Sequence, residues 1–209
     1  MNDSLKVKEL LKLNKGIITT RDVESLGVHR KILNRLIEEG IIERIASGIY
    51  IAIEAIEDTY FTTQVICKKG IFSHETALYF HDLSDRTPIK YQLTIPSGYN
   101  TKLLKDKKYK FFYMKQELYE LGITETVTPY GKTIKLYDIE RTICDIVRNK
   151  SKIESTLFVD AMQRYVERKD RDFIKLNEYA EKFKIEEEIR KYIEVLLWQL
   201  EIQESLWTG

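Results

Sequence analysis

The chain has 209 residues, 43% of them hydrophobic and 32% charged, with a net charge of +1. That length and balance exclude a disordered or fibrous polypeptide and allow one ample domain or two small ones around a buried core. No run approaches the ~20 apolar residues of a membrane helix, and the charged, amphipathic N-terminus lacks the apolar stretch of a signal peptide. Cys67 and Cys144 stand in no metal-ligand spacing. A cytoplasmic protein with two buried thiols and no membrane partner is therefore expected. The near-neutral sum gives no global attraction to nucleic acid, so any such binding has to come from local patches.

In chain order, Val7, Leu10 and Leu11 recur at helical spacing behind Ser4, which is expected to cap the first helix. Gly16-Ile17-Ile18 reads as a short extended piece. Thr20 is expected to cap a second helix, Arg21 to Leu26, with Asp22 and Glu24 in the first turn, where the helix dipole favours acids. Gly27 ends it. A third helix is expected from about His29 to Glu39, closed by Gly40. Ile41 to Ile45 and Ile49 to Ile53 are β-rich runs separated by Ala46-Ser47-Gly48, which has hairpin-loop composition.

The texture changes near residue 54. Beyond it, Thr59 to Lys68 looks helical, and Ser73 is placed to cap a helix through His81. Strands are expected at Tyr91–Ile95 and Tyr109–Met114, and a hairpin over Glu125–Tyr137 turning at Tyr130-Gly131. Helices follow at Asp138–Arg148, about Ile153–Arg168, Asp172–Phe183 and Ile185–Leu206. The last has Ile189, Ile193, Leu196 and Leu200 at intervals of three and four, with Glu186, Glu187 and Glu188 at its positive end.

The order helix, helix, turn, helix, two-stranded wing is that of a winged helix-turn-helix. Winding the third helix at 100° per residue puts Ile32, Leu33, Leu36 and Ile37 on one side. The opposite side carries Arg30, Lys31, Asn34 and Arg35, with Glu38 following. Arg can pair with guanine and Asn with adenine through two hydrogen bonds each, and a groove-bound helix offers its N-terminal residues to the base edges. Thr19, Thr20 and Arg21 open the second helix, whose amides could receive a phosphate oxygen. Arg44 and Ser47 belong to the wing. These nine residues are the candidate contacts to double-stranded DNA. His29 falls on the side of Leu33 and Leu36, which favours packing or capping over base contact. Residues 1–53 hold nine Lys and Arg against seven Asp and Glu, so affinity per protomer should be modest, raised by a second protomer on DNA or by the rest of the chain.

Three other clusters were weighed against ordinary structural roles. His74 and Glu75, with His81 two helical turns on, are too far apart along the axis, at about 10 Å, for one ion. No metal or other cofactor is expected. Asp160 with Glu167-Arg168-Lys169 loosely fits an acidic-x-lysine nuclease pattern, but on a helix of alternating charge a solvated face explains it. No nucleotide-binding or nucleophile motif is present, so no catalytic residue is named. Lys102, Lys105, Lys107, Lys108 and Lys110, interleaved with Tyr109, Phe111, Phe112 and Tyr113, form the densest basic segment. They are an accessory patch for phosphate, or a lysine-rich loop leading into a core strand.

The run Gly40-Ile-Ile-Glu-Arg-Ile-Ala-Ser-Gly-Ile-Tyr50 resembles the wing of the abortive-infection AbiE-type (AbiEi) antitoxins. Phe72-Ser-His-Glu-Thr-Ala-Leu-Tyr-Phe-His-Asp-Leu83 is similar to the segment that follows the wing in that family, and Asp138-Ile-Glu-Arg-Thr-Ile-Cys-Asp-Ile-Val-Arg148 to its later helix. The resemblance implies an antitoxin of a type IV toxin–antitoxin pair. Its winged domain would bind inverted repeats in the operon's own promoter and repress it. Its C-terminal domain would counter a nucleotidyltransferase toxin without a stable complex. The expectation is an α+β chain: a winged helix-turn-helix DNA-binding domain at 1–54, then a mixed α+β antitoxin domain at 55–209 that ends in helices. A protein-interaction module using a winged domain, or a nucleic-acid-processing enzyme, are the alternatives.

Overall fold

A computed structural model describes residues 2–56, 58–101 and 108–207, without the side chains of 203–207. It is a mixed α+β structure of two compact units: Met1–Lys68 with Thr101–Leu104, and Lys69–Asn100 with Lys105–Gly209.

In the first unit α1 (Asp3–Leu13) is followed by β1 (Ile17–Thr19), α2 (Thr20–Ser25), α3 (Lys31–Glu38), β2 (Ile42–Ala46), β3 (Ile49–Ala52) and α4 (Thr59–Ile66). Strand β3 lies between β1 and β2, antiparallel to both. Its residues alternate between faces, as a pleated strand requires. Tyr50 joins Val7, Leu11, Val23, Val28, Leu33, Leu36 and Ile42 in the core beneath the helices. Ile49 and Ile51, with Ile17 of β1, pack against Phe61, Val65 and Ile66. Helices α1 to α3 therefore cover one face of the small sheet and α4 the other, which is why β3 is apolar at consecutive positions. This is a winged helix-turn-helix arrangement, with the β2–β3 hairpin as wing.

Two expected caps are displaced, and a third holds its position without a cap bond. The N-cap of α1 is Asn2, whose side chain accepts from the Ser4 amide at 3.2 Å; Ser4 lies inside the helix and is buried. The N-cap of α2 is Thr19, not Thr20. Its hydroxyl accepts from the Asp22 amide at 3.2 Å, and Asp22 Oδ2 accepts from the Thr19 amide at 2.7 Å, a complete capping box. A box needs Ser or Thr three residues before an acid, and only Thr19 has that spacing to Asp22. Ser73 occupies the N-cap position of its helix but makes no side-chain cap bond, because its hydroxyl is engaged elsewhere.

The second unit is built on a five-stranded mixed sheet, ordered β6-β5-β4-β8-β7. Its elements are β4 (Ile71–Phe72), α5 (His74–Phe80), β5 (Tyr91–Pro96), β6 (Tyr109–Met114), α6 (Gln116–Tyr119), β7 (Ile123–Val127), β8 (Thr133–Tyr137), and helices α7 (Ile139–Arg148), α8 (Ser155–Glu167), α9 (Phe173–Phe183) and α10 (Glu186–Trp207). The expected strands, hairpin and four helices are all present; β4 and α6 were not anticipated. One apolar core runs from Ile71 and Leu78 through Ile143, Ile146, Phe158, Met162 and Tyr165 to Leu176, Ile189 and Ile193. Both cysteines are buried thiols.

Two motif segments meet inside this unit. Asp138 caps α7, accepting from the Arg141 amide at 2.9 Å, and its other oxygen accepts from Tyr179 Oη and pairs with Lys175 Nζ. Arg141 is fully buried. Its Nη1 donates to the carbonyls of Leu118 and Leu121, its Nε donates to Asp145, and its guanidinium stacks over Tyr137 and Phe183. Gly122, at φ +76, lies against it, and a Cβ there would come within 2.7 Å of Arg141 Cβ. His74, in a left-handed conformation at φ 50, is buried and stacked on Phe112 at 3.5 Å between centroids. Its Nε2 lies 3.0 Å from Asn149 Nδ2 and its Nδ1 3.0 Å from Ser73 Oγ, which also accepts from Thr94 Oγ1. His81 Nε2 is 2.7 Å from the Tyr137 carbonyl. The motif histidines thus tie α5 to β8 and to Asn149 at the end of α7.

Asp160 and Glu167 both lie on α8, where Asp160 pairs with Arg164 at 3.2 Å; just past the helix Arg168 pairs with Asp170 at 2.8 Å. No helix among the described residues is long and apolar enough to cross a membrane.

Candidate nucleic-acid interface

Helix α3 begins without a hydroxyl or carboxylate cap. Its N-cap residue, Arg30, makes no side-chain cap bond; instead His29 Nδ1 accepts from the Lys31 amide at 3.1 Å. His29 is exposed, so of the two roles expected for it, capping is the one it takes. Leu33 and Leu36 are buried and Ile32 half-buried, which fixes the rotation of the helix. Ile37, expected on the buried side, is at the margin with 37% exposed. Arg30, Lys31, Asn34 and Arg35 consequently project outward, all exposed.

The wing is held against the start of α2. The Thr20 amide donates to the Gly48 carbonyl at 2.9 Å and the Thr20 hydroxyl to the same oxygen at 3.5 Å. Gly48 sits at φ +71, and a Cβ there would approach Thr20 Oγ1 to 3.2 Å, so the turn needs glycine both for its conformation and for this closeness. At the same tip Arg44 Nε donates to the Ala46 carbonyl and Arg44 Nη2 to Ser47 Oγ, at 3.3 and 3.4 Å. These bonds orient the guanidinium along the hairpin while leaving it exposed.

Helix and wing enclose one open cleft, lined by Thr20, His29, Arg30, Lys31, Asn34, Arg44, Ser47, Gly48 and Tyr50. Three cations, one carboxamide and two hydroxyls of the expected set converge there, and no carboxylate is among the lining residues. Arg35 is on the exposed face but outside the cleft, its Nε donating to Glu39 at 2.7 Å. Thr19 is taken up by the capping box, and Arg21 is exposed on α2. His29, Gly48 and Tyr50 were not among the expected site residues. Tyr50 was hidden by its place in an apolar strand, although a tyrosine on the face of β3 that packs under the helices, shared only with the small Ala52, was a usable signal.

Of the accessory lysines, Lys102, Lys105 and Lys107 lie outside the described residues. Lys108 is exposed beside Tyr109, and Lys110 lies over the Phe112 ring at 5.2 Å. Strand β6 is one of the two sheet edges, with Tyr109 to Phe112 half-buried and Tyr113 exposed.

Fold and cleft together define a winged helix-turn-helix protein whose exposed helix carries cations and a carboxamide. Residues 6–53 match the family described as transcriptional regulator, AbiEi antitoxin, which bears out over that unit the AbiEi resemblance of Gly40–Tyr50. No curated protein matches the chain. Among solved structures, the RV2827C protein from Mycobacterium tuberculosis is similar with a TM-score of 0.59 at 14% identity, over 84% of this chain and 69% of that one. That likeness is one of fold.

Proposed function

We propose that this protein is a DNA-binding antitoxin and autorepressor of a type IV toxin–antitoxin operon, not an enzyme. It would act in the cytoplasm and bind inverted repeats in its own promoter. The observation that carries the DNA-binding half is the cleft, where Arg30, Lys31, Asn34 and Arg44 converge without an acid between α3 and the wing. Arg and Asn offer bidentate partners for guanine and adenine. Lys31 and the hydroxyls of Thr20 and Ser47 suit phosphate oxygens, which position a protein on the duplex. In this reading α3 lies in the major groove and the wing tip reaches the adjoining backbone or groove, with a second protomer on the other half of the repeat. The domain of residues 1–54 reads DNA, and residues 55–209 counter a nucleotidyltransferase toxin without holding it in a stable complex. The family match over residues 6–53 supports the regulatory class; the toxin and the operator come from the resemblance of the three sequence segments.

The test is a reporter driven by the upstream region of the gene, together with co-expression of the neighbouring toxin. Repression should fail in Arg30→Ala/Asn34→Ala while protection from the toxin persists. Full repression by that variant, with the protein folded, would overturn the site. Loss of protection together with repression, with the protein folded, would overturn the division of roles.

A further inference from the structure

Helices α8 and α10 of the second unit leave a groove of about 560 Å³ between them. Its floor is apolar, with Phe158, Met162 and Leu196 among the lining residues. Beside it the surface stays apolar where a helix face is ordinarily polar: Val159 is 49% exposed, Val195 56% and Trp198 62%. Tryptophan is the side chain that most often anchors an interface when it fills a pocket. Val195 lines the recess, and Trp198 follows it on α10 at the i,i+3 spacing of neighbouring side chains, beside the recess.

A face that carries both a projection and a recess can complement itself under a two-fold axis, because each copy then supplies what the other lacks. The charges point to the same occupant. Lys191 lies before Val195 on α10 and Glu201 after Trp198, both exposed, and about 15 Å separates them along the axis. Their midpoint falls at residue 196, between the two apolar residues. An antiparallel second α10 turned about that midpoint brings Lys191 of each copy to the level of Glu201 of the other, twice over, within reach of two long side chains about 80° apart around the helix. A parallel partner would set lysine against lysine.

We propose that this protein self-associates through the α8–α10 face as a two-fold dimer, Trp198 of each copy seated against the groove of the other and Lys191 facing Glu201 across the axis. The inference does not depend on DNA binding and holds or fails without it.

Sedimentation velocity of the full chain over a range of concentrations tests it. The wild-type chain is expected to pass from monomer to dimer. Trp198→Ala removes an anchor from both sides of the two-fold axis and should weaken association by more than the roughly thirtyfold of a single aromatic anchor, with an unchanged thermal midpoint at concentrations where the wild-type chain is monomeric. Lys191→Glu and Glu201→Lys should each weaken it, and the double exchange should restore it, which a merely structural role for either residue would not produce. A wild-type chain that stays monomeric at every concentration overturns the proposal. So does a dimer indifferent to all of these variants, or a double exchange no better than the single ones.

Discussion

Arg30 and Arg35 have the same chemistry on the same exposed helix face, yet their surroundings differ. Arg30 lines the cleft, whereas Arg35 Nε is committed to Glu39. A base-edge contact is worth about 1–3 kcal/mol, so Arg30→Ala and Asn34→Ala should each lower operator affinity by about 5- to 150-fold in fluorescence anisotropy. Arg35→Ala, which removes a cation already neutralised by a neighbour, should cost clearly less; equal losses would contradict this ordering. His74 makes a prediction of another kind. Burial first, then Lys110, Arg141, Arg148 and Lys152, holds its pKa well below the ordinary 6.5. His81 is lowered too, chiefly by burial. Between the folded value and 6.5 the unfolded chain binds more protons than the folded one, so stability is complete above that range and is lost as pH falls through it. The thermal midpoint should be lower at about pH 5.5 than at about pH 7.5. His74→Asn, a residue that tolerates φ 50, should shrink the difference.

At the scale of elements, the start of α2 depends on Thr19. Thr19→Ala removes the hydroxyl half of the capping box and should cost about 1 kcal/mol, while Thr19→Ser should be nearly silent in urea denaturation. Helix α7 depends on a buried ion pair. Arg141 and Asp145 are both 0% exposed and meet at 3.2 Å. Burial pushes the Asp145 carboxyl up while Arg141 pulls it down. Asp145→Ala leaves a guanidinium uncompensated in the core and should cost about 3–5 kcal/mol, read as a fall in the denaturation midpoint; a change under about 1 kcal/mol would show that the two backbone carbonyls suffice. Most elements legible in the sequence had enough residues to show a period, and the three-residue β1 was marked instead by Gly16 before two isoleucines. The outward face of α3 followed from the apolar side of Ile32, Leu33, Leu36 and Ile37, of which Leu33 and Leu36 are the fully buried pair. Strand β4, with two residues, and α6, with four, are too short to carry a period at all. The depth of Arg141 was equally invisible. A buried arginine and a surface arginine look alike in a helical pattern, and only the carbonyls of Leu118 and Leu121, twenty and more residues away, mark it as interior.

For the molecule as a whole, the α+β architecture and the winged unit could be read ahead of the structure because β-hairpin, glycine and cap signals agreed in chain order. The convergence of helix and wing on one cleft could not, since it depends on the Thr20–Gly48 bonds that join them. The same limit applied to the last helix, where spacing showed an apolar stripe but not that Trp198 would stand outside it. Everything functional rests on whether the cleft of α3 and the wing holds a duplex. Binding of the purified chain to its own upstream DNA, titrated with salt, measures that directly. Affinity should fall linearly on logarithmic axes as phosphate counterions are released. The slope should be shallower in Lys31→Ala by roughly one ion, and specific binding should be lost in Arg30→Ala/Asn34→Ala. A salt-independent complex, or a specific one undisturbed by that double substitution, would contradict the account.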